Sequence, residues 1–130
     1  MAILVAYDGR EHTKKALDYA IEESVVKKTK LYVFSAIISK DQLDRDEEMT
    51  QVEKYMDEAL ALGKDRDCDI QTVLGSGAPA KGILEAAERF GCDTIVVGRA
   101  TNKSAFDRAV LGSVSDAVVR NAKCVVVIVQ

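Results

Sequence analysis

Apolar and polar positions along the chain fall into two alternating periods. Four short, nearly continuous apolar runs read as strands of a parallel sheet: Ile3 to Tyr7 and Thr94 to Val97, both buried, and Leu31 to Ile38 and Cys124 to Val129. A fifth run, Asp69 to Leu74, alternates instead, as a strand at a sheet edge does. Between the runs, apolar residues recur at three- and four-residue spacing and predict helices. The first runs from about Thr13, a candidate N-cap, with Ala16, Leu17, Ala20, Ile21, Ser24 and Val25 inward. Its Glu22, Glu23, Lys27 and Lys28 point outward. The second runs from about Leu43 on a narrow stripe of Met49, Val52, Met56, Ala59 and Leu60. Its many charges read as a solvated face, and Gln42 to Glu48 reads equally well as a loop. The third opens at Pro79, presents Ile83, Leu84, Ala87 and Phe90, and ends at Gly91 as a C′ residue would. The fourth opens at Gly112-Ser113, presents Val114, Ala117 and Val118, and closes near Asn121.

The resulting order, βαβαβαβαβ, predicts one α/β domain over residues 1–130: an open, five-stranded parallel sheet with right-handed crossovers and helices on both faces. Ligands in such sheets bind at the carboxyl ends of the strands, where the strand order reverses. With order 3-2-1-4-5 that point lies between strands one and four. Asp8, in the turn closing strand one, and Gly98, at the end of strand four, then face one crevice.

Composition narrows the function classes. Hydrophobic residues make up 48% of the 130 residues and charged residues 30%, the mix of a soluble globular chain. Net charge is −3 with no Lys/Arg block, so general nucleic-acid binding has little electrostatic support. No apolar run reaches the roughly 18 residues of a membrane span. The start, Met-Ala-Ile-Leu-Val-Ala, lacks a basic leader, so no signal peptide and a cytoplasmic location are expected. Cys68, Cys92 and Cys124 are odd in number and lack a C-x-x-C, and read as reduced thiols. His12 is the only histidine, which leaves a histidine metal cluster or a Ser-His-Asp triad a single candidate; solvent exposure is its expected state.

The stretch from Cys92 to Asp116 carries the chemistry. An apolar strand stops at Gly98, a polar loop carries Arg99, Asn102 and Lys103, and Gly112-Ser113 opens a helix. Gly98 lets backbone approach a ligand or adopt positive φ. A helix N-terminus offers unpaired N–H groups and a dipole suited to an anion, to which Ser113 adds a hydroxyl and Arg99 and Lys103 add charge. That is a phosphate cradle. The same residues also make a plain turn and an N-cap, and spacing alone does not separate the two readings.

This stretch resembles the signature of the universal stress protein family, G-x-x-G-x9-G-[S/T]. Gly98 matches its first glycine and Gly112-Ser113 its end. The middle glycine is missing: Thr101 stands three residues after Gly98, with ten residues between it and Gly112. Nine intervening residues lead back to Asn102, the commonest type besides glycine to tolerate the left-handed conformation. The loop reads as one residue longer, with Asn102 in the glycine's place. Ile-Leu-Val-Ala-Tyr-Asp8-Gly9 and Gly75-x-x-x-Pro79-x-x-x-Ile83 extend the resemblance across essentially the whole chain.

The resemblance implies a Rossmann-like fold of the adenine nucleotide alpha-hydrolase-like type and a small regulatory protein of the stress response that binds ATP, with Mg2+ accompanying it. Asp8 then matches the acidic residue near ribose and phosphates, its possible contact to metal running through Mg-ATP. Ala36 matches the residue whose backbone reads the adenine edge. Val97, Gly98 and Ala100 match the start of the motif and Gly112, Ser113 and Val114 its end; Ala6, Arg99 and Asn102 complete the expected site. A stress-response homodimer that binds no nucleotide and acts through protein contacts is the alternative, because the middle glycine is altered. Enzyme classes fit less well. A response regulator needs an acid at the end of strand three, where Leu74-Gly75 stands, and a nucleotidyl transferase needs a partner for His12. No nucleophile–base pair is visible, so no catalysis beyond slow incidental ATP hydrolysis is expected. Finally, Cys124 to Val129 is an uncharged apolar strand at a sheet edge, one residue before Gln130, with no later helix to cover it. Such an edge predicts a homodimer through antiparallel pairing of this strand with its copy, as the resemblance also implies.

Overall fold

The structure, a computed structural model, describes residues 1–99 and 112–130. Five strands and four helices alternate: β1 (Ala2–Ala6), α1 (Glu11–Lys27), β2 (Leu31–Ile37), α2 (Gln42–Asp65), β3 (Ile70–Ser76), α3 (Pro79–Arg89), β4 (Cys92–Gly98), α4 (Ser113–Asn121) and β5 (Val125–Val129). The sheet is parallel throughout, in the order β3-β2-β1-β4-β5. The central strands are buried on both faces, which is why they read as unbroken apolar runs: Ile3, Leu4 and Val5 are each at most 1% exposed. On one face α1 and α2 pack Ala16, Leu17, Ala20, Ile21, Val52, Met56 and Ala59 against Ile3, Val5, Val33 and Val96. On the other, α3 and α4 pack Ile83, Ala86, Ala87 and Val118 against Leu4, Phe34, Ile95 and Val97.

Several boundaries differ from the sequence reading. Helix α1 begins at Glu11, not Thr13, and its cap position, Arg10, makes no side-chain cap bond. Thr13 lies inside the first turn, bonded back to the turn before it. Gln42 to Glu48 is helix, not loop, because the Asp41 carboxylate caps α2 by accepting from the Asp44 N–H. Leu60 is 39% exposed and Gly63 takes its place on the buried stripe; Val25, at 38%, also faces out. Strand β3 continues to Ser76, and Cys124 precedes β5 rather than belonging to it. Pro79 and Gly91 do stand at the ends of α3 as expected, Gly91 with φ +64°.

The buried Phe34 ring joins β2, β3 and α3. A Cβ placed at Gly75 would lie 2.7 Å from its Cζ, and one at Gly82 2.6 Å from the same atom. Two side-chain-free positions therefore make the slot that the ring fills. Adding a methyl to Gly82 overpacks this slot at about 1–3 kcal/mol, more than the ~1 kcal/mol that alanine gains in helix propensity. Gly82→Ala is therefore expected to be destabilising in urea denaturation, and combining it with Phe34→Leu should cost less than the two single losses added together. Strict additivity would show that the ring and the glycine do not meet.

Candidate functional site

A crevice with a volume of about 390 Å³ opens where the strand order reverses, in the size range of small-molecule sites. Its floor comes from the carboxyl ends of β1, β2 and β4, through Ala6, Asp8, Ala36, Val97 and Gly98. One rim is the N-terminus of α4, with Gly112, Ser113 and Val114. Eight of the residues expected from sequence thus share one cavity. Arg99 does not line it; its N–H donates to the Val129 carbonyl at 2.8 Å and so ties β4 to β5. Ala100 and Asn102, like Thr101 and Lys103, lie outside the described residues.

The two glycines play different parts. Gly98 does not need positive φ, and the space beside it is filled by the chain itself. A Cβ there would collide with the His12 carbonyl oxygen in the first turn of α1. Its bareness lets α1 settle on β4. Gly112 has φ −59°, and among the described residues nothing lies within 4 Å of where its Cβ would be. It opens onto the crevice. The first bond that continues α4 runs from the Asp116 N–H to the Gly112 carbonyl at 2.9 Å, so the N–H groups of Ser113, Val114 and Ser115 have no partner within the helix. They present donors and the positive end of the helix dipole. Ser113 is the first helical residue rather than the N-cap, and its side chain is exposed. Ser115 fixes this terminus by donating from Oγ to the Gly98 carbonyl at 3.3 Å.

Asp8 is the centre of a compact knot. Its Oδ1 accepts from the Arg10 N–H at 3.0 Å and from Thr13 Oγ1 at 2.8 Å. Its Oδ2 accepts from Arg10 Nε at 2.8 Å and lies 2.7 Å from Arg10 Nη2. Burial pushes the Asp8 carboxyl up, but the bonds from Arg10 and Thr13 outweigh burial and hold it below the usual carboxylate range.

At the other end of the crevice Phe34 accepts from the Tyr7 N–H at 2.8 Å, just past the last paired residue of β1. Peptide groups of a strand alternate sides, so those of Ala36 turn to the same side, beyond the end of β1 and over the crevice.

Sequence reading missed one wall entirely. Helix α2 contributes Glu48, Gln51, Val52 and Tyr55. The Tyr55 hydroxyl is hydrogen-bonded to Ser35 Oγ, and its ring meets Tyr7 edge-on, with centroids 5.4 Å apart. Burial, more than its carboxylate neighbours, pushes the Tyr55 hydroxyl up, so it stays protonated as a hydrogen-bonding group. Glu48 Oε1 accepts from the N–H groups of Ile38 and Ser39 at 2.9 and 3.0 Å and anchors α2 over the end of β2. The signal was present but ambiguous: Gln51 and Tyr55, four apart, share a helix face amid charges that read as solvated. His12 also lines the crevice and is half-buried rather than exposed. Burial, with Cys124 and Asp93 adding to it, pushes the Cys92 thiol up to about 11, which leaves it a poor nucleophile.

An open parallel sheet in the order β3-β2-β1-β4-β5, with a ligand-sized crevice at its switch point, defines a Rossmann-like α/β fold. The chain belongs to the universal stress protein family, whose model matches residues 1–130. It is 34% identical to a universal stress protein of Thermus aquaticus over 98% of this chain and 97% of that protein. Over 61 residues it is 43% identical to one of Methanocaldococcus jannaschii, a match that spans 47% of this chain but only 35% of that protein's length. Among solved structures, a universal stress protein in complex with cAMP superposes with a TM-score of 0.80, at 26% identity, covering all of this chain and 96% of that one.

The Asp8 knot makes a pH prediction. The unfolded carboxyl titrates near 3.8 and the folded one below it, so its stabilisation is complete above that value and is lost as pH falls through the folded pKa. Asp8→Asn, which has no carboxylate to protonate, should flatten the acid end of the stability–pH curve measured by urea melts. A parallel downward shift at every pH would instead mean that the charge contributes nothing.

Proposed function

We propose that this protein binds an adenine nucleotide, ATP in the first instance, and serves as a cytoplasmic regulatory protein of the stress response rather than as an enzyme. One observation carries the reading: the crevice joins a free strand edge at Ala36 to an open helix N-terminus at Gly112–Ser113. The first suits the hydrogen-bonding edge of a base and the second suits phosphate. The cAMP complex of a family relative supports the ligand class. Among the described residues no helix is long and apolar enough to cross a membrane.

Gly112→Val tests the site. A side chain there meets nothing among the described residues but would fill the approach to the α4 N-terminus. Wild-type protein should gain about 2.7 kcal/mol of stability at ATP a hundredfold above Kd, seen as a rise in melting temperature. The variant should melt as ligand-free wild type does and show no rise. Calorimetry that finds no ATP or ADP binding to wild type at millimolar ligand would falsify the proposal.

We also propose a homodimer through β5. That strand pairs with β4 on one side, and among the described residues no strand covers the other. Its Val125 is 61% exposed, whereas Val127 and Val129 pack against the α1 side of the core. Val125→Lys therefore tests the edge with less risk to the core than a change at Val127. Sedimentation should give a wild-type dimer at micromolar concentration and a monomer for the variant; a wild-type monomer would end the idea.

A further inference from the structure

Resemblance to the universal stress proteins implies that Mg2+ accompanies ATP, with Asp8 the acidic residue nearest to it. The side chains present do not fit that role. Mg2+ takes oxygen ligands in a strict octahedron, and a protein recruits it through carboxylates that have oxygen to spare. Both oxygens of Asp8 are already engaged, Oδ1 by the Arg10 N–H and Thr13 and Oδ2 by the Arg10 guanidinium. To a cation this is a neutralised pair, not a negative site. Glu48, another carboxylate on the crevice, is tied through Oε1 to Ile38 and Ser39 at the β2 end. Among the described residues no group of three or more His, Cys, Asp or Glu side chains could hold a metal ion.

We propose that this crevice takes its nucleotide without a divalent cation, Arg10 supplying the positive charge that a cation would otherwise bring to the phosphates. The proposal rests on the nucleotide reading above. Arg10 lines the crevice beside Asp8, and its side chain is 72% exposed. A guanidinium has five N–H donors, of which the Nε–H and one on Nη2 face Asp8, leaving three. An exposed ion pair is held loosely, so the group can bridge the Asp8 carboxylate and an incoming phosphate without leaving either. Asp8 then positions the arginine, and Arg10 is the residue that sets the charge preference of the site.

The test is calorimetry of ATP binding to the full chain, once with magnesium chloride and once with EDTA. Wild-type Kd should change by less than about threefold between the two. Arg10→Ser keeps a residue suited to the helix cap, so the fold is retained. It should lose about tenfold or more in EDTA, and magnesium should recover most of that loss because Asp8 is released. A wild-type Kd weaker by about tenfold in EDTA overturns the proposal, as does unchanged metal-free affinity in Arg10→Ser. Absence of binding in both solutions defeats the nucleotide reading itself. A second measurement therefore uses no nucleotide: amide NMR line broadening on titration with Mn2+. In wild type the Asp8 amide should broaden less than that of the exposed Asp57, and in Arg10→Ser at least as much. Equal broadening at Asp8 and Asp57 in wild type overturns the proposal without reference to nucleotide.

Discussion

The approach of α1 to β4 is the constraint on which the rest depends. The His12 carbonyl occupies the space where any other residue at Gly98 would carry a Cβ. That contact sets how far the β1–α1 turn leans over the ends of β1 and β4, and so how wide the crevice opens. The Asp8 knot holds the same turn from the other side, through Arg10 and Thr13. Ser115 then docks α4 on the Gly98 carbonyl. One bare residue thus positions two helix N-termini around a single strand end. A β-carbon there would push on backbone rather than on a side chain that could turn away, and close-packed interiors transmit such strain.

Much of the fold was legible because its signals are local and redundant. Unbroken apolar runs meant two-sided burial in β1, β2 and β4, and the alternating run Asp69 to Leu74 meant an edge; β3 is that edge. Pro79 and Gly91 bounded α3 because fixed φ and positive φ are read directly from residue type. Boundaries failed where a side chain bonds backwards. Thr13 looked like a cap, but its hydroxyl serves Asp8 and the Arg10 carbonyl from inside the helix. No spacing rule distinguishes those two uses of a threonine.

The site was legible in half. Residues at strand ends and at the α4 N-terminus follow from topology, which fixes where a switch-point crevice must lie. The α2 wall does not follow, because nothing in a charged amphipathic stretch tells which turn leans over the sheet. That depends on long-range contacts: Tyr55 with Ser35 and Tyr7, and Glu48 with the end of β2. Gly98 was rightly singled out, but for approach to a ligand rather than to α1. A glycine reports that something comes close; the sequence does not say what.

Asp8 carries this distinction furthest. Matching a residue to a family position establishes where its oxygens are, not whether they are available. Here the position is kept, and the carboxylate lines the crevice. Yet Arg10 and Thr13 consume its acceptor capacity and lower its pKa against the opposing pull of burial. A carboxylate held in this way stays ionised and stays occupied. Its charge is cancelled locally, so among the described residues the positive field at this end of the crevice comes from the α4 N-terminus and from whatever donors Arg10 has left. Among the described residues, the charge beside the acid is therefore balanced two residues away, by a side chain that lies outside the glycine signature. Carrying over a metal role by position alone would assign it to an oxygen that already has a partner.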